Sequence, residues 1–187
     1  MITRQQQEAH DYFRKHAEQW GLKAENYSSK VFNVIQERNK YVLDVARENA
    51  PIHSFLDVGC GTGDLVLQAA SLGIPSVGVD FAEEMIEQAV RKMDDVKNSE
   101  AKFFHASIFD FKMDNEEYDL ISANGFIEYI SQKELAVFFD LVSRSLKHGG
   151  SFVCGSRNRL FNLFSLNAYT QNEIDSGIAG LLLKEAV

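Results

Sequence analysis

Short apolar runs alternate with stretches of helical periodicity along most of the chain. Runs near 54–59, 76–80, 101–106, 118–123 and 151–155 are bounded by Gly, Asp, Asn or Ser, which predicts strands. Between them, apolar positions recur at helical spacing over 64–72, 83–93 and 131–147. Ahead of the first strand, 4–20 reads as an amphipathic helix with Tyr12, Phe13, Ala17 and Trp20 on or near one face, and a second helix runs from about Ser29 to Asn49. Strands alternating with helices predict an α/β fold, a doubly wound and mostly parallel sheet wrapped by helices on both faces. In such a sheet the carboxyl ends of the strands bind ligands, and Asp57, Asp80, Ser107 and Asn124 fall there.

Composition narrows the partners. The chain has 187 residues, 45% hydrophobic and 25% charged, within the range of an ordinary globular domain. Nineteen Lys and Arg against 27 Asp and Glu give a net charge of −8, which offers no footprint for nucleic acid or an anionic membrane. No signal-peptide core and no run of about 18 apolar residues is present, so a cytoplasmic location is expected. Cys60 and Cys154 have neither metal nor redox spacing and read as reduced fillers, and the five histidines form no strong metal-binding spacing, so no divalent metal is expected.

The chemistry concentrates in Phe55 to Leu65, a strand, a turn carrying Gly59, Gly61 and Gly63, and a helix start. Glycine allows positive φ and close approach of a ligand to the main chain, while unpaired N–H groups at a helix start can bind oxygens. A dinucleotide-binding turn follows G-x-G-x-x-G, whereas this chain has G-x-G-x-G followed by Asp64. A carboxylate about 4 Å from a phosphate oxygen would oppose it by roughly 4 kcal/mol at an effective dielectric near 20, against ~0.3 to 1 kcal/mol gained from the helix dipole. A nucleoside without phosphates is favoured. Asp80, 21 positions after Gly59 at the end of the second strand, suits a ribose diol, with a helix cap for the segment from Glu83 as its other role.

The segments LDVGCGTG (56–63), VGVDFAEEMIEQA (77–89), YDLISANGFIEYI (118–130) and LKHGGSFVCGSRNR (146–159) together resemble the class I S-adenosylmethionine-dependent methyltransferases, in their motif order over 54–159. The chain is similar in flavour to small-molecule O-methyltransferases of the ubiquinone-biosynthesis type. The resemblance implies a Rossmann-like sheet and S-adenosylmethionine as methyl donor, with S-adenosylhomocysteine as product. It further implies that Gly59, Cys60 and Gly61 present backbone to the methionine part, with Asp57 orienting that loop. Asp80 would hold the ribose, Phe81 and Met85 would flank the adenine, and Ser107 and Ile108 would stand where an acid usually takes the adenine amino group. Serine there departs from the pattern, because a hydroxyl accepts more weakly than a carboxylate. Asn124 and Gly125 would close the other side of the pocket, and the absence of a nearby proline disfavours base methylation.

The reaction implied is in-line displacement at the sulfonium methyl by a small-molecule acceptor, with positioning as the main source of catalysis. Glu128 and Tyr129 are the candidate general bases, with packing at a helix start as their other role. An inactive cofactor-binding or regulatory module is the rival function, and a nicotinamide-dependent oxidoreductase a weaker one. Residues 1–50 are expected to form a helical cap and 51–187 the cofactor domain. The sheet is expected to lack the family's last one or two strands, since 175–187 reads as helix and the chain as C-terminally truncated. The fifth strand would then be an exposed edge, open to pairing in a homodimer. The apolar, basic segment Arg157 to Asn167 is a further candidate for covering the acceptor.

Overall fold

The computed structural model describes residues 11–12, 14–17, 33–94 and 100–156. Met1–Gly155 forms one compact unit. Phe13, Trp20, Arg157 to Asn167 and 175–187 lie outside the described residues, as does the expected start of the second helix before Asn33.

Helix α1 (Val34–Glu48) starts where the Asn33 side chain accepts the amides of Ile35 and Gln36, an N-cap that satisfies two otherwise orphaned donors. β1 (Phe55–Val58), α2 (Asp64–Ser71), β2 (Ser76–Asp80), α3 (Glu83–Asp94), β3 (Ala101–His105) and β4 (Tyr118–Asn124) follow in alternation. A single 3-10 turn, Ile127–Tyr129, leads to α4 (Gln132–Ser145) and then β5 (Leu146–Gly155). Ser131 and Glu134 close a reciprocal capping box at the start of α4. None of the helices among the described residues is long and apolar enough to cross a membrane.

The five strands pair in the order β3-β2-β1-β4-β5, all parallel. Because the order reverses between β1 and β4, the loops after these two strands leave in opposite directions and open a crevice at their carboxyl ends. Strand alternation then sorts the side chains. Phe55 and Leu120 face α1 and α2, packing with Val42, Leu43, Ala46, Leu65 and Ala69. Leu56, Val58, Ile121 and Ala123 point to the opposite face, against Phe138 and Val142 of α4. The all-buried pattern of β1 follows from having helices on both sides.

Two boundaries differ from the sequence expectation. The helix expected to reach 147 stops at Ser145, and Lys147 to Gly150, which read as a turn before a strand at 151–155, belong with Leu146 to β5. Tyr118 pairs with Leu146 but Leu120 with Ser151, so the intervening residues bulge out of the ladder, with Gly149 at φ 83°. Lys147 reaches back from this bulge to Asp119 and the Ser54 hydroxyl, 3.0 Å from each. The turn chemistry was real, but it makes an irregular strand entry. β5 has no neighbouring strand on its outer side among the described residues.

Glycines admit one aromatic ring into this frame. A Cβ built on Gly63 would lie 2.6 Å from the Phe103 ring and one on Gly78 would lie 2.8 Å from it, so Phe103 of β3 fills the space both glycines leave. Gly73 also has positive φ, at 80°, but no atom lies within 4 Å of its built Cβ. Both Gly63→Ala and Gly73→Ala therefore carry backbone strain of about 1–2 kcal/mol, and only Gly63→Ala adds overpacking of about 1–3 kcal/mol. Urea unfolding of the two variants is expected to show Gly63→Ala as the less stable by that second amount. Equal stabilities would remove Phe103 from the role assigned to it.

Candidate functional site

The turn after β1 is fastened to the end of β2. Gly59 N and Cys60 N both donate to the Val79 carbonyl, at 2.8 and 3.2 Å. Gly61 N donates to Asp80 Oδ2, and Ala82 N to Asp80 Oδ1, each at 2.9 Å. The amides of these three turn residues thus have protein acceptors. What the turn leaves open is the surface over Gly61, at φ 53°, where a built Cβ meets nothing within 4 Å. Gly59 is covered instead, since the Phe126 ring would lie 3.2 Å from its Cβ.

Asp80 is buried, which raises its pKa above the ordinary carboxylate value, while the amides of Ala82 and Gly61 pull the other way. Its bond to Ala82, just before α3, is a contact of the capping kind, and its bond to Gly61 holds the turn, a role the sequence does not suggest. Asp57 stands opposite Ser122 in the β1–β4 register, and the Ser122 hydroxyl donates to Asp57 Oδ1 at 2.6 Å. The bond of Asp57 therefore goes to β4 rather than to the glycine turn. Burial raises the Asp57 pKa to about 7, with the Ser122 bond lowering it and the charge of Asp80 raising it.

The other sequence candidates divide. Asn124 ends β4 and Gly125 follows it, with Gly125 N donating to the Gly155 carbonyl at 2.8 Å. Asn124 Nδ2 is buried with no hydrogen-bond partner. Phe81 is half-buried, and its carbonyl accepts from His105 Nε2 at 3.1 Å. Met85 is buried against Ala82 and Ala17, which brings the helical residues 14–17 onto the start of α3. Ile108 packs in the core with Leu56 and Val58, so its side chain is inside the fold and not at the crevice. Ser107 caps a turn, its hydroxyl accepting from Phe109 N at 3.3 Å and its carbonyl from Asp110 and Phe111. Glu128 and Tyr129 are half-buried in the 3-10 turn after β4. The Cys60 side chain points into the packing of α2 and α3, where burial pushes its thiol pKa up.

One electrostatic expectation is corrected. The sequence puts the Asp64 carboxylate where a diphosphate would approach and counts its full charge against that ligand. Lys92 Nζ of α3 lies 3.0 and 3.1 Å from its two carboxylate oxygens, and Thr62 Oγ1 donates to it at 2.6 Å. The repulsion against a diphosphate is largely neutralised by this pair, and the case against a dinucleotide rests on the glycine spacing alone. The sequence reading missed Lys92, Phe126 and Arg38. Arg38 had a signal, because it lies four residues before Val42 on the packed stripe of α1, where a charge is out of place. Lys92 and Phe126 had none, since their partners are distant in sequence.

Comparison with known proteins places this geometry. The family described as a methyltransferase domain matches residues 55–150. Among curated proteins, a probable fatty acid methyltransferase of Mycobacterium tuberculosis is 28% identical over 61% of this chain and 27% of its own length. A demethylmenaquinone methyltransferase of Staphylococcus saprophyticus is 31% identical over 53% of this chain and 42% of its own. The chain thus spans less than half the length of either relative. Among solved structures, magnesium protoporphyrin IX methyltransferase from Synechocystis with bound S-adenosylmethionine superposes with a TM-score of 0.59 at 20% identity, over 77% of this chain and 73% of its own, a likeness of fold.

Asp57 gives the site a pH signature. Its folded pKa of about 7 lies above the unfolded carboxylate value of about 4. The stability from holding its proton is fully present below the unfolded value and lost as pH rises through the folded one. Asp57→Asn keeps an acceptor for Ser122 and has no proton to lose. Denaturant unfolding from pH 5 to 8 is expected to show the variant gaining on the parent by about 1 kcal/mol per pH unit up to pH 7, with a constant gap above. A gap independent of pH would place the Asp57 carboxylate outside the buried site.

Proposed function

The chain belongs to the methyltransferase domain family, and from that premise we propose that it moves a methyl group from S-adenosylmethionine to a small-molecule acceptor. The observation that carries the proposal is the open cradle over Gly61 beside the buried Asp80 carboxylate, where a Cβ would occupy ligand space without touching protein. When bound, S-adenosylmethionine supplies a sulfonium methyl for in-line displacement by a nucleophile of the acceptor.

The chain's own residues then have distinct tasks. Asp80 accepts hydrogen bonds from the ribose diol with the lone pairs its amide contacts leave free, while Gly59, Cys60 and Gly61 bring backbone close to the methionine part, above the buried Asp57. Phe81 and Met85 border the adenine, and the Ser107–Ile108 turn lies at its amino group through Ser107 and main chain, since the Ile108 side chain is in the core. Asn124 and Gly125 close the opposite wall. Glu128 and Tyr129 follow directly and are the groups proposed to take a proton from the acceptor.

Of the helical cap proposed for residues 1–50, the described segment 14–17 supports the role through Ala17, which packs on Ala82 and Met85. The names of the relatives, a probable fatty acid methyltransferase and a demethylmenaquinone methyltransferase, support a small-molecule acceptor. A homodimer through the outer edge of β5 is proposed because that edge has no strand beside it among the described residues. The free thiols Cys60 and Cys154 suit a reducing cytoplasm.

Calorimetry is expected to show S-adenosylhomocysteine binding and no NADH binding, and transfer from labelled donor into a metabolite extract is expected to yield a methylated product. Cofactor binding without product would assign the chain to the regulatory role. Gly61→Val is expected to fold, bearing backbone strain of about 1–2 kcal/mol, and to lose S-adenosylhomocysteine affinity tenfold or more. Asp80→Ala removes charge-assisted bonds worth roughly 1.5–3 kcal/mol each and is expected to weaken binding at least as much. Unchanged affinity in Gly61→Val would move the cofactor off this turn.

A further inference from the structure

A second polar feature lies at the same sheet edge, beyond the glycine turn. Between α1 and the carboxyl ends of β4 and β5 is a cleft of about 260 Å³, with Val34, Tyr41, Val153 and Cys154 as its apolar and thiol walls. Arg38 and Asn124 are its inner polar groups. The half-buried Arg38 guanidinium lies against two glycines, with Nη1 3.1 Å from a Cβ built on Gly125 and Nε 3.4 Å from one built on Gly155. Any side chain at Gly125 would crowd it.

Arg38 makes no hydrogen bond or ion pair among the described residues, whereas Lys40 and Arg47 of the same helix both pair with Asp44. An unpaired guanidinium in a half-buried position gives up hydration without compensation, a cost that evidently serves something. Asn124 Nδ2, buried and unpartnered, is a second donor on the same cleft. Two sets of donors, with the Asn124 amide oxygen beside Gly155 as the neighbouring acceptor and no hydrogen bond made to it by Arg38, suit an anionic oxygen group. Glu37 also lines the cleft, but it is exposed at the rim, one residue and so about 100° around the helix from Arg38. Its charge selects against a dianion more than against a monoanion, which favours carboxylate over phosphate.

We propose that Arg38, helped by Asn124, is a carboxylate receptor at the β4–β5 end of the site. The inference rests on the methyltransferase reading for its two sources of carboxylate, the amino-acid end of the methyl donor and the acceptor itself. The Arg guanidinium offers a two-pronged match to either.

Binding measured on the parent, Arg38→Met and Arg38→Lys distinguishes them. In the first arm S-adenosylhomocysteine is compared with 5′-methylthioadenosine, which keeps the nucleoside sulfide and lacks the carboxylate. If the donor supplies the carboxylate, Arg38→Met loses tenfold or more for S-adenosylhomocysteine and little for methylthioadenosine. In the second arm hexanoate is compared with hexanol, with and without saturating S-adenosylhomocysteine. If the acceptor supplies it, the parent prefers hexanoate tenfold or more, and Arg38→Met loses that preference. Arg38→Lys, which keeps the charge but not the fork, is expected between the two and serves if Arg38→Met does not fold. Discrimination unchanged by either variant in both arms overturns the proposal while leaving cofactor binding intact. Failure of both nucleosides to bind the parent would overturn the methyltransferase reading, and the hexanoate arm on the free protein would still decide for or against Arg38.

Discussion

Asp80 is the group on which the arrangement of the crevice depends. Its two oxygens hold Gly61 of the turn after β1 and Ala82 at the entry to α3, so one carboxylate ties two loops that are separate in sequence. Burial disfavours its charged form and the two amides favour it. An ionised carboxylate has about four acceptor positions, more than the amides of Ala82, Gly61 and Phe81 use. The same side chain can therefore fasten the turn and still receive the hydroxyls of a ribose.

The glycines that advertise this turn are mostly about packing. Gly63 and Gly78 admit the Phe103 ring, and Gly59 lies under Phe126, which in turn packs on Phe138 of α4 with ring centroids 5.0 Å apart. Only Gly61 faces open space. A motif of three glycines thus splits into two that let aromatic rings brace the loop from opposite sides of the sheet and one that leaves room for a ligand. Close packing on both sides makes the loop a stiff platform, and stiffness is what a reaction governed by positioning requires.

The parallel sheet was legible because its signal is local: apolar runs of four to seven residues, each closed by a polar residue at the tip, alternating with helical periodicity. The turn and Asp80 were legible for the same reason. Leu146 to Gly150 were misassigned because Gly149 and Gly150 carry the same turn chemistry whether they end a helix or bulge a strand, and only pairing with Tyr118 and Leu120 decides. The charge of Asp64 was misjudged because its partner Lys92 arrives from α3, two elements later. Ile108 was placed at the cofactor by motif position, but its side chain turns inward where the loop after β3 closes over the core. Residues were readable where neighbours in sequence set their surroundings, and unreadable where the fold supplied the partner.

Register explains one more feature of the site. In a parallel sheet paired side chains share a face, so Asp57, Ser122 and Gly78 stand side by side across β1, β4 and β2. The small residues on either side leave room for a carboxyl that the surrounding burial holds near pKa 7, beneath the turn that Asp80 clasps. Burial raises the pKa of both acids, and the charge of Asp80 raises that of Asp57 further, because ionising one makes the other harder to ionise. A positive charge arriving over the turn reverses that balance, since it favours both carboxylates in their charged form.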